Sequence, residues 1–317
     1  MSFTTSINIE RDFGKTPHYI VTANARQTIG KIINHFASGI HSFCLIGSYG
    51  TGKSSFILAL ENCLCGKTVG KNVLLSQRGQ FNSFEQFSFI NIVGDYTSLA
   101  NLLASHLNAE SKNVISVLDN HYNRLQKTNQ FLVIVIDEFG KVLEHAAKNN
   151  PEKEMYFLQK FCEYVNDTSK NILFLTTLHQ GFGAYAKGLK AEQKQEWTKV
   201  KGRIQDIVFA EPIEQLLNLT ATHISSADKK PTLNTDKIYN LAVASKFAAS
   251  TLDANVARAL YPMDIVSAYV FTQANQRYGQ NERTLFTFLE TRGEGTVNDF
   301  DCLLYTSDAA DDLIGVD

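Results

Sequence analysis

Apolar and polar residues follow two periods along the first two thirds of the chain. Short runs with little polar interruption, Ser42 to Ile46, Phe87 to Val93, Phe131 to Ile136, Ile172 to Thr177 and Ile204 to Phe209, have the length and content of buried strands. Between them apolar residues return every three or four positions. One such face is Ala25, Ile29, Ile32, Ile33 and Phe36, entered from Tyr19 to Thr22, and Ser54 to Leu64 reads the same way. Others are Leu99, Leu102, Leu103 and Leu107 behind a cap at Thr97, then Val114, Val117, Leu118, Tyr122 and Leu125, then Met155, Leu158, Phe161, Cys162 and Val165. That spacing predicts helices.

Strands that alternate with helices and stay apolar on both faces predict a doubly wound α/β fold with right-handed crossovers. The expected core is a parallel sheet of five strands in three layers over residues 1–212. Beyond Pro212 only helical spacing remains, as in Ile238, Leu241 and Ala242 and then Ile265 and Tyr269, so a smaller all-helical lid domain is expected over 213–292. Gly181 to Gly202, rich in Lys and Glu and holding the single tryptophan, Trp197, reads as a polar connection.

Composition narrows the class. At 317 residues and 44% hydrophobic content the chain can bury a substantial core, with room for two domains. A net charge of −2 gives no global field that marks a nucleic-acid or membrane-surface binder. The five cysteines, Cys44, Cys63, Cys65, Cys162 and Cys302, are scattered without the paired spacing of a zinc site, which suits reduced thiols. No segment approaches the roughly 18 uninterrupted apolar residues of a membrane span, and the start lacks a signal pattern, so a cytoplasmic protein is expected.

The end of the chain stands apart. Cys302 to Asp311 (CLLYTSDAAD) reverse-translates readily to a transposase adapter of a sequencing library, and the closing Gly315-Val316-Asp317 suits the stretch that follows such an adapter. Residues 293–317 are expected to be a disordered tail in which 302–317 is an adapter artefact, with the natural protein continuing beyond Asp301.

One motif carries the chemistry. Gly47-Ser48-Tyr49-Gly50-Thr51-Gly52-Lys53-Ser54 satisfies G-x-x-x-x-G-K-[ST] between an expected strand and an expected helix. The glycines permit a turn that points main-chain amides inward, and the helix presents its positive dipole end to phosphate. With Ser55, this loop is the expected nucleotide site. Lys53 is expected on the β and γ phosphates, and Ser54 on Mg²⁺ through its hydroxyl.

A second motif, Val133 to Glu138, is an apolar strand delivering two carboxylates to its C-terminal end. Asp137 is the expected Mg²⁺ partner through a water, and Glu138 the general base for the attacking water. Asp137 to Gly140 also fits the D-x-x-G of GTPases. Against that reading, a strand intervenes between the two motifs, a glutamate directly follows the aspartate, and no [NT]-K-x-D guanine-reading motif occurs. ATP is therefore the expected nucleotide. The eight histidines form no HExxH and there is no G-x-S-x-G elbow, which argues against other hydrolytic chemistry.

On these two segments the chain resembles the AAA+ class of P-loop ATPases over roughly residues 15–292. The resemblance implies that the Ile172 to Thr177 strand lies between the two Walker strands as a sensor strand. Thr177 would then feel the γ phosphate, with His179 as a substitute and a plain buried strand-end threonine as the other reading. The Lys201 to Phe209 stretch, with Pro212 soon after, is similar to the box before the lid, where Arg203 would be an arginine finger reaching a neighbouring copy or else a surface arginine. In the helical domain Arg283 would be a lid arginine near the phosphates, although Asn281 or Glu282 there also suits helix capping. Thr22 would line the adenine pocket.

The resemblance further implies a homo-oligomer coupling hydrolysis to lid movement. The Tyr49 to Gly52 loop, the Trp197 to Phe209 stretch and the Asn281 to Arg283 segment look like the N-terminal ATPase region of large bacterial ATPases, some encoded in phage-defence islands. Two alternatives stay open. One is a slow-turnover nucleotide switch or scaffold. The other is DNA engagement through Lys187, Lys190, Lys194, Lys199 and Lys201, a cluster that Glu192 and Glu196 dilute.

Overall fold

The computed structural model describes residues 7–15, 19–66, 81, 83–224, 235–247, 252–261 and 263–278. Arg283 and the tail from Cys302 lie outside these residues. The chain divides into two compact units at Ala210 and Glu211.

The unit that ends at Ala210 alternates strands with helices. Its elements are α1 (Ala23–Ala37), β1 (Ser42–Ile46), α2 (Lys53–Leu64), β2 (Gln86–Val93), α3 (Leu99–Leu107), α4 (Val114–Gln126), β3 (Gln130–Asp137), α5 (Gly140–Lys148), α6 (Pro151–Val165), β4 (Ile172–Leu178), α7 (Ala191–Lys201) and β5 (Gln205–Val208). All five strands are parallel, in the order β2-β3-β4-β1-β5. This is a three-layer α/β P-loop NTPase fold. The expected sensor strand, β4, lies between β1 and β3.

Strand β3 shows why the apolar runs are continuous. Successive side chains of a strand point to opposite faces. Leu132, Ile134 and Ile136 pack into a core with α3, α4, α5, α6 and α7, whereas Phe131, Val133 and Val135 pack into a second core with α1 and α2. Every residue of β3 after Gln130 is buried. The same parity carries Asp137 onto the α1–α2 face, and in β4 it carries Thr177 there after Leu173 and Leu175.

Helix starts follow local chemistry. Thr22 caps α1 by accepting the Ala25 amide at 3.0 Å. Asn150 caps α6, with Pro151 at its first position and Glu152 and Glu154 in its first turn beside the positive end of the helix dipole.

The segment from Gly181 to Gly202 departs from the sequence reading. It is not a bare connection: it makes a short 3-10 turn, Phe182–Ala186, and then α7, which packs on α6. Only Trp197 and Val200 of α7 are buried, so no periodic apolar face announces the helix in the sequence. Two residues three positions apart suffice to seat it. Trp197 is 2% exposed and its Nε1 donates to the Phe182 carbonyl at 3.0 Å.

The second unit is helical among its described residues: α8 (Ile213–Ile224), α9 (Thr235–Ala244), α10 (Ala254–Ala259) and α11 (Ile265–Tyr278). Leu217, Ala242, Leu252, Leu260, Met263 and Ile265 are among the side chains of its own small core. Among the described residues no helix is long and apolar enough to cross a membrane.

Two stability outcomes follow. Trp197→Ala should cost about 3–5 kcal/mol in urea unfolding, because it empties a filled site and orphans the Phe182 carbonyl, whereas Lys194→Ala on the exposed side of α7 should be near neutral. A second concerns Glu61 of α2, which is 4% exposed; burial pushes its carboxyl up to about 8, partly offset by the Asn91 side chain. The folded state then holds a proton that the unfolded chain releases, so this residue's contribution falls as pH rises from 4.5 to about 8. Thermal melts of Glu61→Gln against wild type should separate across that window and converge below it.

Candidate functional site

The phosphate loop runs from the end of β1 to the start of α2. Gly50 and Gly52 take φ of 72° and 85°, values that L side chains rarely adopt, and Gly52 precedes α2 with no side-chain cap. The first turn of α2 thus faces outward as an uncapped, dipole-positive helix start. Lys53 turns back over its own loop. Its Nζ donates to the carbonyls of Gly47 at 2.7 Å and Ser48 at 2.8 Å, and lies 3.4 Å from the Thr51 hydroxyl, which itself donates to Ser48. Burial lowers Lys53 to about 8, with Asp137 opposing the shift. Ser55, beside it, is half-buried.

Asp137 ends β3 on the face that α2 covers. The Ser54 hydroxyl donates to its Oδ2 at 2.7 Å, across 83 residues of sequence. The Thr177 hydroxyl donates to its Oδ1 at hydrogen-bond distance, and also accepts the Glu138 amide at 2.9 Å. Asp137 Oδ1 accepts that amide as well, at 3.1 Å. One threonine therefore joins the ends of β3 and β4, and its single O–H is spent on Asp137.

Glu138 follows with φ of 53°, a left-handed conformation that is strained in a residue with a side chain. Its neighbour Phe139 bonds through its amide to the Thr177 carbonyl at 3.1 Å, which helps hold the turn. The Glu138 carboxylate lies 2.6 Å from the Lys141 ammonium, one turn along at the start of α5. Lys141 belongs to no sequence motif; its position three residues beyond Glu138 is the one local signal for the pair.

His179 was named from the sequence only as a substitute for Thr177. It is the first residue past β4, half-buried, and its ring stacks on Tyr49 of the phosphate loop with centroids 3.4 Å apart and planes 20° apart. Burial pushes it down to about 4, and Lys53 adds in the same direction against Glu138 and Asp137, so the ring is neutral at pH 7.

Arg203 precedes β5 and lies at the N-terminal edge of the parallel sheet, whereas Gly47 follows β1 at the C-terminal edge. The four residues of β5 separate those levels by ~13 Å. Arg203 donates from Nε and Nη2 to Glu163 at 3.1 and 2.8 Å, and from Nη1 to the Lys199 carbonyl at 2.8 Å. Thr22 spends its hydroxyl on the α1 cap. Of the lysine cluster, Lys199 is paired with Glu196 at 2.6 Å, and Lys187, Lys190, Lys194 and Lys201 are exposed. No group of three or more metal-ligating side chains of the His, Cys, Asp or Glu type occurs among the described residues.

No protein-family model matches the chain, and no curated protein matches it. Among solved structures it is similar to the Aeropyrum pernix ORC2 protein in ADPNP-ADP complexes, at 14% identity and a TM-score of 0.42, over 79% of this chain and 71% of that one. It is similar to C. elegans PCH-2 at 10% identity and 0.42, over 88% and 65%, and to Drosophila ORC bound to DNA at 12% and 0.34, over 69% and 48%. These likenesses are too distant to assign a family or a function, which rest on the chain's own residues.

Thr177→Val keeps the shape but leaves the Glu138 amide with Asp137 Oδ1 alone and removes a donor from that carboxylate. A loss of about 1–3 kcal/mol is expected, recovered in Thr177→Ser, as read from urea unfolding midpoints of the three proteins.

Proposed function

We propose that this chain binds ATP with Mg²⁺ and hydrolyses it, as an AAA+ type ATPase working in a homo-oligomer. The observation that carries the proposal is the 2.7 Å bond between Ser54 and Asp137. A phosphate-loop hydroxyl and a buried strand-end carboxylate meet at the edge where an uncapped helix start and Lys53 stand ready for an anion.

The hard oxygen donors Ser54 and Asp137 suit Mg²⁺, which keeps several waters and needs only one or two protein oxygens besides phosphate. Bound there with the nucleotide, Mg²⁺ would neutralise phosphate charge. The loop amides and Lys53 would hold the β and γ phosphates, and Asp137 would orient the ion, itself held by Thr177. Glu138 sits at the mouth, half exposed, where it can take a proton from water once it leaves Lys141. Arg203 lies too far along β5 to serve its own loop, so an arginine-finger role falls on a neighbouring copy. The position of β4 between β1 and β3 supports the ATPase reading over the GTPase one.

A second reading, a slow-turnover switch, is favoured by one feature. The Glu138–Lys141 pair competes with water for the base, so turnover would be slowed until a partner draws Lys141 away.

Steady-state ATPase and nucleotide binding across protein concentrations test both. Lys53→Ala should abolish nucleotide binding. Glu138→Gln should bind ATP and lose turnover by 100-fold or more, the size of a general-base contribution. Arg203→Ala should bind ATP yet lose any rise of specific activity with concentration. Unchanged binding and turnover in Lys53→Ala would remove the ATPase reading. Wild-type turnover that is negligible alone and rises in Lys141→Ala would favour the switch.

A further inference from the structure

Resting on the nucleotide reading above, we propose that Tyr185, which belongs to neither the phosphate loop nor the acid pair, is a positioning residue for Glu138: its phenol fixes where α5 begins and with it the strained turn that carries the base. A left-handed φ in a residue with a side chain persists only where the surroundings leave it no alternative. At Glu138 those surroundings close in from two sides, and a glycine marks each.

Both glycines are there for space. Gly94, just past β2, and Gly140, at the start of α5, take no left-handed φ, so backbone conformation does not demand them. A Cβ at Gly94 would stand 2.5 Å from the Glu138 carbonyl oxygen and 3.0 Å from that of Asp137, which already accepts the Gly94 amide at 2.7 Å. A Cβ at Gly140 would overlap the Tyr185 hydroxyl and stand 3.0 Å from its Cζ. Glycine favours a helix less than alanine does, so its place in the first turn of α5 is explained by the phenol and not by the helix.

The first turn of α5 carries the rest of the base's setting. The Lys141 amide donates to the Glu138 carbonyl at 3.2 Å, and the Lys141 ammonium holds the Glu138 carboxylate at 2.6 Å. A shift of Gly140 therefore moves the Glu138 carbonyl and its ion-pair partner together, and toward β2 the carbonyl has no room, because Gly94 lies against it. Tyr185 can act as a stop because it is itself fixed. It is buried in the core that also takes Phe139, Phe182 and Trp197, and its turn is tied to α7 by the bond from Trp197 to the Phe182 carbonyl. The main-chain amide of His179 bonds to its hydroxyl, and burial pushes that hydroxyl up to about 12. The phenol is thus neutral at pH 7 and acts on the turn by shape, not by charge.

Steady-state kcat and calorimetric ATP affinity in the presence of Mg²⁺, measured on the full chain, test this. Gly140→Ala should lower kcat about tenfold, part of a general-base contribution, at unchanged ATP affinity, since Lys53, Ser54 and Asp137 keep their own bonds. Adding Tyr185→Phe, which clears the hydroxyl from the new methyl group, should restore most of kcat. In the Glu138→Gln background, where no base is left to place, Gly140→Ala should have no further effect. Wild-type kcat in Gly140→Ala, a parallel loss of ATP affinity, a loss that persists with Tyr185→Phe, or an equal further loss in Glu138→Gln would each overturn the proposal and leave the ATPase reading standing. If Gly140→Ala does not fold, Tyr185→Phe alone carries the test: without its stop kcat should fall at unchanged ATP affinity, and a wild-type value would overturn the proposal. A chain that hydrolyses no ATP, either as wild type or as Lys141→Ala, would remove the ATPase reading and this proposal with it.

Discussion

A serine on the helix after β1 and an aspartate at the end of β3 can share a hydrogen bond only if the strands between them run the same way and end level. Here β1, β4 and β3 do so, with Ile46 paired to Leu178 and Ile136 paired to Thr176. Parallel strands put all their C-terminal ends on one edge, and a period of two decides which face each end residue joins. Asp137 and Thr177 share the α2 face because they continue the Phe131-Val133-Val135 and Leu173-Leu175 rows. The Ser54–Asp137 bond, the Thr177 bridge and the place of Glu138 are consequences of that register.

The site divides into a buried part and an open part. Lys53 and Asp137 are each 6% exposed and are satisfied by loop carbonyls, Ser54 and Thr177, not by one another. Desolvation makes such groups sensitive to any charge that arrives, because the surroundings screen little. Glu138 and Lys141 are more exposed and pair across one helical turn, an interaction of modest strength that can be exchanged cheaply. Desolvated, hydrogen-bonded groups thus stand next to a more exposed acid that is held only by a weak pair.

Much of the fold was legible in the sequence because its signals are local. Each strand is a contiguous apolar run covered on both faces, and the phosphate loop is a contiguous motif whose glycines and lysine need no distant partner to be recognised. Helix α7 was missed for the opposite reason. Two buried residues, Trp197 and Val200, seat it against α6 and the Phe182 turn, too few to make a period. The resemblance left Thr177 as a phosphate contact or a buried strand-end threonine, and the neighbouring strand adds that Asp137 takes its hydroxyl. Tyr49 and His179 were named in the sequence but not their stacking on one another, and Lys141 carried no pattern that distinguished it from ordinary helix residues.

The sequence by itself determined that a parallel α/β core exists and that its first loop carries a phosphate-loop motif, since periodicity and a contiguous motif are properties of neighbouring residues. Which side chains keep a free hydrogen-bonding group was decided only by tertiary structure. Ser54 meets Asp137 across 83 positions and Thr177 meets it across 40, and a donor is spent or spare according to what the sheet brings beside it. Strand register, set by the packing of both cores against the sheet, makes that allocation, and no local stretch of chain contains it.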